Sequence, residues 1–369
     1  MDLAAWTALG LYDPDAPDAA ERLALLEFLD QQGVTPAELA AAEREDRLGS
    51  ILMERSVGSG TERLTVGDVA ERTRCAPELL GRIWRASGFP DPGPEARIFT
   101  EEDLEVLATF ALATTYFGEE VALQMVRVIG SSMARIADAT FRAALVNVDD
   151  ALFVTASSPL EAVRTSAELL AMLPLAARAM DVLLRRHLQV TNRRFEAQPS
   201  GEAADVETPD LVVGFVDLVG FTALSHDLAT RTLARAVSEF ELLAADLVTS
   251  GDGRVVKELG DGVMFVAADV GRGCEIALGL LDALGDHAVL PPLRASLAAG
   301  EVVAREGDYF GPVVNLAARM LRLAAPGELL VTHEARARVG DDAYHFEPLG
   351  ARLIRGFAEP VDLYRVARA

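Results

Sequence analysis

Lysine is nearly missing from this 369-residue chain: one residue, Lys257, among 34 basic side chains. An arginine excess of that size fits codon bias, so the surviving lysine marks a position where a wide planar guanidinium will not serve and a compact single donor will. Cysteine is scarce too, with only Cys75 and Cys274. Two thiols so far apart in sequence exclude a disulfide framework or a cysteine zinc site, which leaves buried structural thiols. Long uncharged apolar runs are absent, and none reaches the roughly 18 residues needed to cross a bilayer. The opening Met1-Asp2-Leu3-Ala4-Ala5-Trp6 lacks the basic start of a secretory signal. A cytoplasmic protein without stable membrane insertion is expected. Positive charge is in deficit throughout: residues 1–200 carry 19 − 31 = −12 and residues 201–369 carry 15 − 26 = −11, for a total of −23. Such a surface repels nucleic acid and anionic membrane, so any phosphate site must be local and metal-assisted.

Half the residues are hydrophobic, and the length suits about two domains. Apolar residues recur at helical spacing over 21–30, 101–115, 120–137 and 160–188, so an all-α domain is expected over residues 1–190. Periodicity then fails in Phe195-Glu196-Ala197-Gln198-Pro199-Ser200-Gly201-Glu202, a stretch of prolyl, glycyl and acidic residues that predicts a linker over 191–206. From residue 207 the pattern changes. An apolar strand, Leu211 to Asp217, precedes a helix over about 230–249. Two strand-like runs, Arg254 to Leu259 and Val263 to Ala267, flank the turn Gly260-Asp261-Gly262 and predict a hairpin. A helix over 271–285 and a strand over Leu293 to Ala299 complete β-α-β-β-α-β, the ferredoxin-like open sheet with helices on one face. The class expected for the whole chain is α+β.

Asp217 and Asp261 stand 261 − 217 = 44 positions apart, yet this topology brings the first strand beside the hairpin, so both carboxylates reach one sheet edge. Paired carboxylates there suit Mg²⁺ or Mn²⁺, because hard cations take oxygen ligands. Directly after Asp217, Gly220 in Leu218-Val219-Gly220-Phe221-Thr222 lets the backbone turn, so that free N–H groups beyond it could meet phosphate oxygens.

Three segments in order, Phe215 to Thr222, Lys257 to Asp261, and Asp308-Tyr309-Phe310-Gly311-Pro312-Val313-Val314-Asn315-Leu316-Ala317-Ala318-Arg319, resemble the class III adenylyl cyclases over roughly 207–369. The resemblance implies that Asp217 and Asp261, with the backbone of Leu218, bind two metal ions per site, Mg²⁺ or Mn²⁺. It implies that Lys257 and Asp308 select adenine, that Gly220, Phe221 and Thr222 surround the triphosphate of ATP, and that Asn315 and Arg319 stabilise the transition state. Arg294 and Arg355 match phosphate contacts less closely, and the second departs from the lysine of many relatives. Because the family divides each site between subunits, a homodimer with composite sites follows. Chemistry agrees on the base: adenine offers an acceptor at N1 and a donor at N6, which suit Lys257 and Asp308, whereas guanine reverses both and would strand the pair. A guanylyl cyclase would carry other residues at 257 and 308.

The N-terminal half contains a lookalike of the MerR-type helix-turn-helix over 64–104, with Arg72, Arg74, Arg82 and Arg85 offered to phosphates among Glu62, Asp68, Glu71 and Glu78. A DNA-binding regulator is therefore one alternative; a catalytically silent nucleotide sensor is another. The architecture resembles actinobacterial cyclases whose helical domain restrains catalysis, in some cases by pH, and His187, between Arg186 and Leu188 near the linker, is the candidate for a pH-linked role. Long apolar runs such as Leu169 to Leu173 fit a packed bundle with dimer contacts or a pocket for a fatty acid or other apolar ligand.

Overall fold

The computed structural model describes residues 3–45, 47–57, 63–149, 158–196, 208–221, 224–225, 228–285, 287, 289–340 and 343–369. The chain divides into two compact units, Met1–Ala197 and Gln198–Ala369.

The first unit is helical: α1 (Leu3–Ala8), α2 (Ala19–Gln31), α3 (Pro36–Arg44), α4 (Ile51–Val57), α5 (Val66–Thr73), α6 (Pro77–Ala86), α7 (Glu101–Phe117), α8 (Glu119–Asp149), α9 (Pro159–Ala171) and α10 (Leu173–Glu196). Three of these begin with a threonine whose hydroxyl accepts from the third helical N–H while that residue's carboxylate reaches back: Thr35 with Glu38, Thr65 with Asp68 and Thr100 with Asp103. Each such capping box is worth ~1 kcal/mol. Two cores form, one around Trp6, Leu26, Leu29 and Leu39, the other around Val69, Leu80, Ile83 and Phe99. The second holds the helix-turn-helix lookalike, closed by a bridge between Leu64 and Phe99. Three of its four arginines are already neutralised, Arg72 by Glu101, Arg82 by Glu119 and Arg85 by Asp91.

The helix expected over 160–188 is two helices, because Pro174 lacks an N–H for the preceding turn and is tolerated only at the start of a new one. The second, α10, continues to Glu196, into the segment read as linker, since no breaker precedes Pro199; residues 197–206 of that segment lie outside the described residues. Along α10, Leu175, Leu183, Leu184 and Leu188 are exposed.

The second unit runs β1 (Asp210–Leu218), α11 (Thr230–Ser250), β2 (Arg254–Glu258), β3 (Gly262–Ala267), α12 (Val270–Leu284), β4 (Leu293–Glu301), β5 (Val303–Arg305), β6 (Asp308–Phe310), α13 (Pro312–Met320), β7 (Leu329–Thr332), α14 (His333–Arg336), β8 (Tyr344–Arg352) and β9 (Val361–Arg368). Seven strands form one sheet in the order β2-β3-β1-β4-β7-β9-β8, and β5 pairs with β6 as a separate hairpin. Only β4 and β7 are parallel among the described pairs. The first four strands keep the expected ferredoxin-like connection.

Alternation along β1 divides two cores. Val212, Val216 and Leu218 join Phe240, Phe265 and Leu280 on the α11 and α12 face. Val213 and Phe215 join Met264, Val266, Ala298 and Ala317 on the other. The expectation of helices on one face is therefore corrected: α13 covers part of the second face, tied down by Ser296, whose buried hydroxyl donates to the Ala317 carbonyl at 2.7 Å. Gly214 is required on the first face, since a Cβ there would run into the Phe265 ring and Leu297. Cys274 is buried in the same core, where burial pushes its thiol up to about 12; Cys75 is half-buried.

Candidate active site

Asp217, the last but one residue of β1, faces Gly262 on one side and Arg294 on the other. It shares the α13 side of the sheet with Phe215, two residues back. The Leu218 N–H donates to the Asp261 carbonyl at 2.8 Å, which fastens the hairpin turn against the end of β1 and brings the second carboxylate close. Arg294 donates to Asp217 Oδ2 from Nε at 3.0 Å and Nη2 at 2.6 Å. Burial pushes the Asp217 carboxyl above the usual carboxylate range; Arg294 opposes the shift, and the negative charge of Asp261 adds to it. Two neighbouring carboxylates at a half-buried strand end offer the oxygen ligands that a hard divalent cation takes, and a cation there would relieve the charge that Asp261 imposes on Asp217.

A pH effect follows from that shift. A carboxyl whose folded value is raised favours the folded state while protonated, so its contribution is complete at low pH and is lost as pH rises through the folded value. Metal-free protein should therefore lose thermal stability across that interval, and Mn²⁺ should restore more of it at the upper end. Melting curves with and without Mn²⁺ check this, and Asp217→Asn should flatten both dependences.

Lys257 reaches the same face through an irregularity. Val255 pairs with Phe265 but Lys257 pairs with Met264, so Val256 is an extra residue in β2. Strict alternation would put Lys257 on the α11 side with Val255; the bulge turns it to the side of Met264 and α13. There its Nζ donates to Asp308 Oδ2 at 2.6 Å and lies 5.7 Å from the Phe310 ring centre. The other oxygen, Oδ1, accepts from the Tyr309 N–H at 2.7 Å, which fixes the carboxylate's orientation. Arg254 stacks over Tyr309 at 5.1 Å and donates to the Gly307 carbonyl at 3.3 Å.

On α13, Asn315 and Arg319 stand four residues apart, hence on one face, and both are exposed. Arg319 donates to the Arg355 carbonyl and lies 5.7 Å from the centre of the Phe357 ring. Between those two residues Gly356 has φ of +84° and no space for a Cβ, which would meet the Arg319 guanidinium. The loop after β8 thus holds the arginine's tip.

The structure brings together Asp217, Asp261 and Arg294 as one group, Lys257 with Asp308 as a second, and Asn315, Arg319 and Arg355 on α13 and its loop as a third. Gly220 takes the left-handed φ of +77°, and the Leu224 N–H donates to its carbonyl at 3.2 Å. Phe221 packs partly against the α11 and α12 core. Thr222 lies outside the described residues. Sequence reasoning passed over Arg254, Tyr309 and Phe310, although the two aromatics adjoin Asp308; nothing in the spacing of residue 254 pointed at the hairpin without knowledge of the bulge. His187 is exposed on α10.

Residues 8–191 match the adenylate cyclase regulatory domain, and residues 205–367 match the adenylate and guanylate cyclase catalytic domain. An uncharacterized protein of Mycobacterium tuberculosis is 33% identical over 98% of this chain and 93% of its own length. An adenylate cyclase of Streptomyces coelicolor is 33% identical over 80% of this chain and 76% of its own. A pH-sensitive adenylate cyclase of Mycobacterium tuberculosis is 30% identical, covering 95% and 88%. With both segments matched in order and relatives at this identity spanning most of the chain, it belongs to the adenylate and guanylate cyclase family, carrying an adenylate cyclase regulatory domain ahead of the catalytic one.

Proposed function

We propose that the chain converts ATP to 3',5'-cyclic AMP and pyrophosphate at two composite sites of a homodimer, and that its first unit regulates the rate. The observation that carries the substrate assignment is the Lys257 and Asp308 pair, joined at 2.6 Å. Lys257 donates to adenine N1 and Asp308 accepts from N6; guanine would leave both groups facing their own kind.

Asp217, Asp261 and the Leu218 backbone would hold Mg²⁺ or Mn²⁺. When bound, the ions supply Lewis acidity, which eases ionisation of the ribose 3'-hydroxyl and neutralises phosphate charge. Arg294 now occupies one oxygen of Asp217 and is released to meet phosphate once that carboxylate is engaged elsewhere. Attack of the 3'-oxygen on the α-phosphorus builds negative charge on the equatorial oxygens, and the Arg319 guanidinium meets it there. Asn315, one turn earlier on the same face, shares in stabilising that transition state. Arg355 and the turn at Gly220, Phe221 and Thr222 bind the outer phosphates. The attacking hydroxyl's proton leaves to solvent, and pyrophosphate departs in line.

The exposed leucines of α10 support association through the first unit, and the composite site makes a single chain inactive. A fatty acid or other apolar ligand in that unit belongs to the same proposal as a second regulatory input. Neutralised arginines and negative charge count against nucleic acid as a partner.

Cyclic AMP formation from ATP with Mn²⁺ tests the reading; a folded dimer that makes none would sink it in favour of a nucleotide sensor. Regulation has its own check. Assayed over about pH 5 to 8, His187→Ala should alter the pH profile of the full chain, and an unaltered profile removes His187 from the mechanism.

A further inference from the structure

We propose that Arg254 is a positioning residue for nucleotide selectivity: it clamps the β5–β6 hairpin so that Asp308 cannot retreat from a mismatched base. The proposal rests on the adenine assignment of Lys257 and Asp308.

Asp308 stands on a weak support. Its strand has three residues, pairs with one other three-residue strand and lies outside the main sheet; a two-stranded hairpin of that length is marginal in water. Its turn is tight, with Glu306 at φ +55° and Gly307 at +79°; Lys257 ties Asp308 to β2 and Tyr309 packs against the α13-face core, but a base that engages Lys257 would loosen the first tie, so the flanks of Asp308 need a second one. Arg254 does so on both flanks of Asp308, through a hydrogen bond to the Gly307 carbonyl and a stacked contact with Tyr309. The bulge at Val256 makes this possible. Arg254 pairs with Val266 and Lys257 with Met264, and both partners belong to the α13 face; in an unbroken strand, residues three apart would point to opposite faces.

Rigidity at this point decides selectivity. A mismatched purine is rejected because polar groups are stranded without water or partner. If the hairpin can swing outward, the Asp308 carboxylate faced with guanine O6 escapes into solvent, the penalty disappears, and GTP is accepted. Arginine suits the clamp because its flat guanidinium can lie on an aromatic ring while one N–H points at a carbonyl.

The test compares kcat/KM for ATP and GTP in the full chain with Mn²⁺, because a ratio on one preparation is independent of how much protein is folded. Arg254→Ala should lower the ATP-to-GTP ratio about tenfold, the scale of one stacked cation and one hydrogen bond, and Arg254→Lys should recover part of it. Tyr309→Leu should produce a similar drop, with little further change in the double variant. An unchanged ratio in both Arg254→Ala and Tyr309→Leu, alongside a collapsed ratio in Asp308→Ala, overturns the clamp alone. An unchanged ratio in Asp308→Ala overturns the adenine assignment and the clamp with it.

Discussion

Asp217→Ala, and separately Asn315→Ala, should each reduce cyclic AMP formation by about a thousandfold or more, the scale of losing several kcal/mol of charge stabilisation or transition-state alignment. An equimolar mixture of the two inactive chains should regain roughly one quarter of wild-type activity, since half the dimers are mixed and each mixed dimer has one site free of both lesions. The prediction follows from the placement of the groups. Asp217 lies at the end of β1 with Arg294, while Asn315 lies on α13 facing away from the sheet core, and both substitutions remove exposed or half-buried side chains without opening the main hydrophobic clusters. Because Asp217→Ala leaves Arg294 without its carboxylate, Asp217→Asn should accompany it to separate lost catalysis from lost stability. A mixture as silent as its components would sink the shared site and return the chain to a one-chain mechanism.

The second large effect concerns the base. Lys257→Glu together with Asp308→Ser replaces a donor and an acceptor by an acceptor and a donor, the pattern that guanine N1–H and O6 require. Activity on ATP should fall by about 10³ to 10⁴, as in sites whose buried polar groups lose their partners. Turnover of GTP should rise above that of the starting protein. Either single change should impair both nucleotides, because the Lys257–Asp308 ion pair is broken and one group is left facing a base it cannot serve. Steady-state rates with both nucleotides decide it: a double variant still preferring ATP would show that discrimination lies elsewhere.

Much of the catalytic unit was legible in the sequence. Its first four strands are marked by continuous apolar runs and a glycine turn, and two of its helices by helical spacing, while Asp217, Lys257, Asp261, Asp308, Asn315 and Arg319 lie within short motifs of recognisable order. The later strands were not legible, because β8 carries mostly exposed residues, so no alternation announces it. The covering of the second face by α13 was missed for a related reason: Pro312 to Met320 reads as amphipathic, but nothing local states which sheet face receives it. Ser296, whose bond to Ala317 settles that question, is a long-range partner 21 residues away. In the first unit the capping threonines mark helix starts plainly, whereas the break before Pro174 was hidden by continuous apolar spacing on both sides of it.

The extra residue at Val256 gives β2 a parity. Everything downstream of it in the strand points to the face opposite to the one that counting from Arg254 would assign. A β2 that kept Val256 but paired regularly would put Lys257 opposite Val263 and turn it toward α11, away from Asp308, whereas deleting Val256 would remove the bulge and leave Lys257 opposite Met264 on the α13 face. The placement of Lys257 beside Asp308 is thus set by the register of a strand as much as by the identity of a side chain. Variants with shortened or lengthened strands here should be judged by their register before their residues are compared.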